Sequence, residues 1–236
     1  MPYYKHKGAD IYYLKKGNWD TNHFPIVLLH GNGESMETFD ATIEPLLDRL
    51  PFLAIDTRGQ GRSEILNDNY DFTYELFAED VYTIVVEQLG INQFDIVGFS
   101  DGGITALILA SDAEKRVHIN RVVAIGANLE PNGMKRFMLS RIAHEKRMAD
   151  VHHDQLGSAL CRLMLTEPHI TADDLSRIYA SVAVVAGSSD IIRPSHTEMI
   201  ADSIIHARLH IVEGADHMIP QKFPERLREI ILDELD

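Results

Sequence analysis

The sequence predicts an α/β fold: a mostly parallel β-sheet with helices on both faces and one small helical insertion. Three observations predict it. Short apolar, often β-branched runs alternate with longer helical stretches, the order of βα units around a parallel sheet. Most of the short runs are continuously apolar, as strands covered on both faces must be. Between Leu129 and Ile178 this rhythm stops for about fifty residues, far beyond the roughly 4–6 residues of an ordinary connection.

Along the chain, Tyr3–Lys5 and Ile11–Leu14 read as an antiparallel hairpin at the sheet edge. Ile26–His30 is the first central strand, followed by a helical stretch over Met36–Leu50. Phe52–Asp56 is the next strand and Tyr74–Leu89 the next helix. Phe94–Phe99 runs directly into a helix over Gly103–Ala113, and Arg121–Gly126 is again a strand. The long interval then carries two helical patterns, Gly133–Met148 and Gln155–Leu165. Neither flank has the composition of a flexible linker. Residues 129–178 are therefore expected to form a short cap inserted in a core made of residues 1–128 and 179–236. The strands Val182–Ala186 and Arg208–Val212 complete the sheet, followed by helices over Ser195–Ile205 and Pro224–Leu235 respectively.

Composition narrows the class. The chain has 236 residues, 45% of them apolar and 25% charged, enough to bury about 70–75% of its unfolded surface without a disulfide or metal staple. A lone cysteine, Cys161, excludes an internal disulfide framework and a multi-cysteine zinc site. Lys+Arg is 22 against 36 Asp+Glu, a formal charge of −14. That surface repels phosphate backbones, so no nucleic-acid partner is expected. No apolar run approaches the roughly 18 residues of a membrane span. Met1–Gly17 has no apolar core of signal-peptide length, and with the single thiol this gives a cytoplasmic expectation. The residues do not indicate an oligomeric state.

The chemistry concentrates at strand ends. Gly98-Phe99-Ser100-Asp101-Gly102 matches G-x-S-x-G and runs from a strand straight into a helix. Small residues flank the serine because a tight strand-to-helix turn leaves no room for bulk beside it. The first helix amides lack intrahelical acceptors and carry partial positive charge, which makes the N–H of Asp101 one expected oxyanion donor. His30-Gly31-Asn32-Gly33, after the first central strand, is a glycine-rich turn that can leave further amides free.

With these two motifs, Asp56-Thr57-Arg58-Gly59-Gln60-Gly61-Arg62-Ser63 and Gly214-Ala215-Asp216-His217 complete four signatures in one order, and the sequence resembles the α/β-hydrolase family. The Ser-Asp-Gly-Gly form of the turn is most similar to small esterases of the valacyclovir hydrolase-like (biphenyl hydrolase-like) branch. The resemblance implies an eight-stranded sheet with its site at the carboxyl ends of the strands, and makes the Asn32 backbone the second oxyanion donor. The Asp56–Ser63 segment is mainly structural in the family.

A nucleophilic serine needs a base, and the base an orienting carboxylate; in this fold they follow in the order serine, acid, histidine. Asp190 follows the strand Val182–Ala186 and is the expected acid, with Glu130 as runner-up. His217, after the last strand, is the expected base; Asp216 is adjacent to it and poorly placed to hold its ring. The Asp101 side chain either stabilises the helix N-terminus or holds a substrate ammonium. Phe99, Asp101, Phe137, Met138 and Met218 are the candidates for substrate contact. No metal is expected: His152-His153-Asp154 reads as a solvated turn, and His206 and His210 straddle a helix-to-strand change. The predicted function is a cofactor-independent serine hydrolase, a carboxylesterase of small-molecule esters or activated amides. The alternatives on the same triad are a carbon–carbon bond hydrolase, a thioesterase, a perhydrolase or a slow-turnover ligand receptor. A fifty-residue cap is short for the family and predicts a shallow site.

Overall fold

The continuously apolar runs form the centre of the sheet in the computed structural model, which describes residues 2–235. The chain opens with β1 (Tyr3–His6) and β2 (Ala9–Gly17), paired antiparallel with Tyr3 opposite Tyr12. β3 (Ile26–Leu29), β4 (Pro51–Ile55), β6 (Phe94–Phe99), β7 (Ile119–Ile125), β8 (Ser181–Gly187) and β9 (Ala207–Val212) run parallel. The order is β1-β2-β4-β3-β6-β7-β8-β9, with the two-residue β5 (Glu64–Ile65) beside β2. The eight strands on this path match the number expected. β3 connects to β4 on one side, and its other neighbour β6 connects to β7 on the opposite side, so the connections from these adjacent strands run in opposite directions. A crevice opens at such a switch point, outside the carboxyl ends of the strands.

Alternation along β3 shows how both faces are covered. Val27 and Leu29 pack with Phe77 and Val81 of α2 (Tyr74–Tyr82) and with Leu107 of α3 (Asp101–Ser111). Ile26 and Leu28 join the opposite core, with Leu227, Ile230 and Ile231 of α9 (Pro224–Leu235). All four β3 residues are buried. That is why the strand carries no polar alternation.

Two predicted helices are irregular. The stretch expected over Met36–Leu50 is a 3₁₀ turn (Met36–Phe39), the single turn α1 (Asp40–Ile43), and a second 3₁₀ turn (Glu44–Leu46) with Pro45 near its N-terminus. Pro45 has no amide to continue the α-helical ladder. The stretch expected over Tyr74–Leu89 is α-helical to Tyr82 and widens into a π-helical turn over Thr83–Gln88.

The long interval contains α4 (Arg136–Val151), α5 (Gln155–Thr166) and the short α6 (Ala172–Ser176). The predicted Gly133 start was early because Pro131–Gly133 forms a 3₁₀ turn and Met134 pairs with Ile192 as an isolated antiparallel bridge. Lys135 N–H donates to Ile191 O and Arg193 N–H to Gly133 O, each at 2.8 Å. α7 (Pro194–Ser203) and the single turn α8 (Ile219–Lys222) complete the helices. No helix among the described residues is long and apolar enough to cross a membrane.

Candidate active site

β6 delivers Ser100 to the crevice on a sharp turn. Its φ of 54° and ψ of −114° lie where a side chain is strained, at a cost of roughly 1–3 kcal/mol. The turn exists only because its flanks are glycine. A Cβ on Gly98 would run into the Gly102 carbonyl, and one on Gly102 into the Leu29 carbonyl of β3.

His217 stands between serine and acid. Its Nε2 is 3.1 Å from Ser100 Oγ and its Nδ1 2.7 Å from Asp190 Oδ1. Asp190 Oδ1 also accepts from the Ile192 amide at 3.0 Å, and Oδ2 from Gly187 at 3.3 Å. Burial disfavours the Asp190 charge, but the hydrogen bond and charge of His217 and the two amides outweigh it and hold the carboxyl below its usual range. Glu130 is elsewhere: its carboxylate is 3.9 Å from His196 Nε2. Asp216 accepts from the Met218 amide and pairs with Lys222, so it shapes the turn.

The loop after β3 leaves one amide without a protein acceptor. Gly31 N–H donates to Glu34 Oε2 at 3.2 Å and Gly33 N–H to Gln60 Oε1 at 2.6 Å. Glu34 N–H closes the turn onto Gly31 O. Among the described residues, the Asn32 amide has no acceptor. The Asp101 amide opens α3 and has no intrahelical carbonyl to donate to. Behind the loop, Asp56 accepts from the amides of Met36 and Arg62, and Arg58 is bonded through two nitrogens to the buried Asp80. These contacts explain why that motif shapes the fold.

Asp101 is 4% exposed. Its Oδ1 accepts from the Tyr74 hydroxyl and its Oδ2 from the Asn32 side-chain amide, each at 2.8 Å. Burial pushes its carboxyl up to about 6 despite these two donors and the nearby His217, with the Glu34 charge adding to the rise. Burial and the Asp101 charge raise the Tyr74 phenol well above its usual value, which keeps it a donor.

A cavity of about 310 Å³ opens over Ser100 and His217. Of the residues expected to contact substrate, Phe99, Asp101, Met138 and Met218 line it. Phe137 does not: it is 61% exposed on α4. The helix turns about 100° per residue and gives Met138, Arg141, Ile142 and Glu145 to the wall, which leaves Phe137 beyond the edge of that face. Glu34, Asn128, Arg141, Glu145 and Glu167 also line the cavity and were not anticipated. Helical spacing links Arg141 and Glu145 to Met138, a readable signal once the phase of α4 is fixed. Gly126, also missed, ends β7 at φ 62° against the His217 ring; a glycine closing a central strand was its only signal.

Known proteins resemble this chain over most of its length. The chain is 24% identical over 250 residues to the serine hydrolase BPHL of Homo sapiens, covering 97% of this chain and 84% of that protein. It is 25% identical over 253 residues to an esterase of Mycobacterium tuberculosis, covering 89% and 82%. Among solved structures, MGS-M2, an alpha/beta hydrolase enzyme from a Medee basin deep-sea metagenome library, superposes with a TM-score of 0.83 at 20% identity, covering 98% of this chain and 96% of that one. Residues 25–150, more than half of the chain, match the alpha/beta hydrolase fold family itself. The chain belongs to the alpha/beta hydrolase fold family.

Proposed function

We propose that the protein is a serine hydrolase that cleaves small carboxylic esters or activated amides through an acyl-enzyme on Ser100. The observation that carries this reading is the continuous hydrogen-bonded line from Ser100 Oγ through His217 to Asp190, at 3.1 and 2.7 Å. Ser100 Oγ attacks the carbonyl carbon as His217 Nε2 takes its proton. Asp190 holds Nδ1–H, fixing the tautomer and stabilising the imidazolium. The carbonyl oxygen becomes an oxyanion held by the amides of Asn32 and Asp101. His217 returns the proton to the leaving group as the carbon–oxygen or carbon–nitrogen bond breaks, and water activated by His217 then releases the acid.

Helices α4 and α5 act as a short cap, whose Met134, Met138, Ile142 and Met164 supply an adaptable apolar wall for one end of the substrate. The charge of the cavity favours neutral or cationic esters. Glu34, Asp101, Glu145 and Glu167 bring carboxylates, whereas the Arg141 guanidinium is bonded to Glu145 at 2.8 Å.

Fluorophosphonate labelling with peptide mapping, together with turnover of p-nitrophenyl acetate through octanoate, tests the reading. Stoichiometric labelling at Ser100 with turnover of the shorter esters is the expected result. Folded protein that labels without turnover would move the reading to a slow ligand receptor, and protein that does not label would overturn it.

A further inference from the structure

The carboxylate that follows the serine is already occupied by its own protein. Tyr74 and Asn32 take one oxygen each, and they arrive from separate parts of the chain. Asn32 is in the loop after β3, Asp101 is the first residue of α3, and Tyr74 is the first residue of α2. Tyr74 is anchored in turn, its amide donating to Glu167 Oε2 at 3.1 Å. Asn32 and Asp101 are also the residues whose main-chain amides hold the oxyanion in the proposed mechanism.

We propose that the Asp101 carboxylate and the Tyr74 hydroxyl are positioning residues for the oxyanion: together they tie the Asn32 loop to the start of α3 and so fix the two amides relative to each other. This inference rests on the serine-hydrolase reading above. The tie is needed because Asn32 lies in an irregular turn between two glycines, where its peptide plane has no sheet or helix to orient it. The contacts from Gly31 to Glu34 and from Gly33 to Gln60 steady the neighbours; Asn32 itself is held by its side-chain bond to Asp101 at 2.8 Å and by a longer one from the same nitrogen to Leu160 O at 3.5 Å. Tyr74 fills the other carboxylate oxygen, which keeps the carboxylate from rotating away from Asn32 and draws its charge back from the oxyanion. With both oxygens engaged and the group 4% exposed, Asp101 serves the protein's own amides and is not the receptor for a substrate ammonium.

The interaction matters only when negative charge develops on the carbonyl oxygen, so its loss acts on kcat and not on KM. The test compares Tyr74→Phe and Asn32→Ala with wild type on ethyl L-phenylalaninate and on ethyl 3-phenylpropionate, the same skeleton without the ammonium group. Asn32→Ala keeps the main-chain amide and removes the tie together with the long contact to Leu160 O, and it serves alone if Tyr74→Phe fails to fold. Rates are normalised to the Ser100 sites titrated by fluorophosphonate. A displaced oxyanion donor costs about tenfold or more, so both variants are expected to lose that much kcat on both esters, with KM nearly unchanged. Affinity for an aryl trifluoromethyl ketone, whose Ser100 adduct carries the oxyanion, should fall by the same factor, which a purely structural role would not cause. Unchanged kcat in the folded variants, or a change confined to KM for the amino ester, would overturn the tie while leaving the serine mechanism standing. A wild type that neither labels nor turns over would overturn the serine mechanism, and the tie with it.

Discussion

Gly126 lies against the ring of His217, so closely that a Cβ on it would stand 2.7 Å from the imidazole Cε1 and 2.9 Å from Nδ1. Its φ of 62° also lies where glycine is favoured. Gly126→Ala is expected to push the imidazole off the line between Ser100 and Asp190 and to lower kcat about a hundredfold. The backbone strain adds about 1 kcal/mol of destabilisation. Steady-state kinetics and a thermal melt separate the two effects, and a near-normal kcat in a folded variant would show that the ring has room.

The strain at Ser100 gives a second expectation. Ser100→Ala should abolish turnover and keep the strained φ of 54°. Ser100→Gly should also be inactive but more stable than Ser100→Ala by about 1–2 kcal/mol, because glycine relieves that backbone geometry. Equal denaturation midpoints for the two variants would mean that the turn carries no such strain.

Asp95 tests the electrostatics away from the site. It is buried in β6, accepts from the Asn120 side-chain amide at 2.9 Å, and is pushed by burial from 3.8 to about 6. The folded state therefore binds its proton more tightly than the unfolded state does. Stability falls as pH rises from about 4 to about 6 and stays reduced above, by about 3 kcal/mol at most. Asp95→Asn should raise Tm at pH 8, with the advantage shrinking towards pH 4. An advantage independent of pH would contradict this origin.

The cavity wall makes a prediction about specificity. Met138→Ala enlarges the apolar side and should shift the acyl preference towards longer p-nitrophenyl esters. Phe137→Ala, altering a side chain that is 61% exposed, should leave that preference unchanged. Glu145→Gln and Glu167→Gln should raise KM for ammonium-bearing esters more than for neutral ones. Equal changes on both ester types would remove the charge argument.

The strands and the serine turn were legible because their causes are local. A fully buried strand must be apolar throughout, and Gly98 and Gly102 are required by backbone contacts within the turn and with the neighbouring strand. That the turn would leave the Asn32 amide without a protein acceptor was legible from its glycine neighbours. Tyr74 was not: nothing near it in the sequence says that its hydroxyl reaches Asp101, a contact made only when α2 and α3 pack on one face of the sheet. Phe137 was misassigned for a related reason. Helical periodicity says that α4 has two sides but does not say which side meets the sheet.

The short seam between residues 133–135 and 191–193 has an evolutionary consequence. Two main-chain bonds at 2.8 Å fasten the start of the α4–α5 segment to the loop that carries Asp190, and Ile170 N–H donates to Leu129 O at 2.9 Å where the segment ends. The loop ends are thus pinned whatever the helices between them contain, and closing a longer loop costs only about 0.6 kcal/mol per doubling of its length. The segment holding α4 and α5 can therefore be lengthened, trimmed or exchanged while Asp190 keeps its place beside His217.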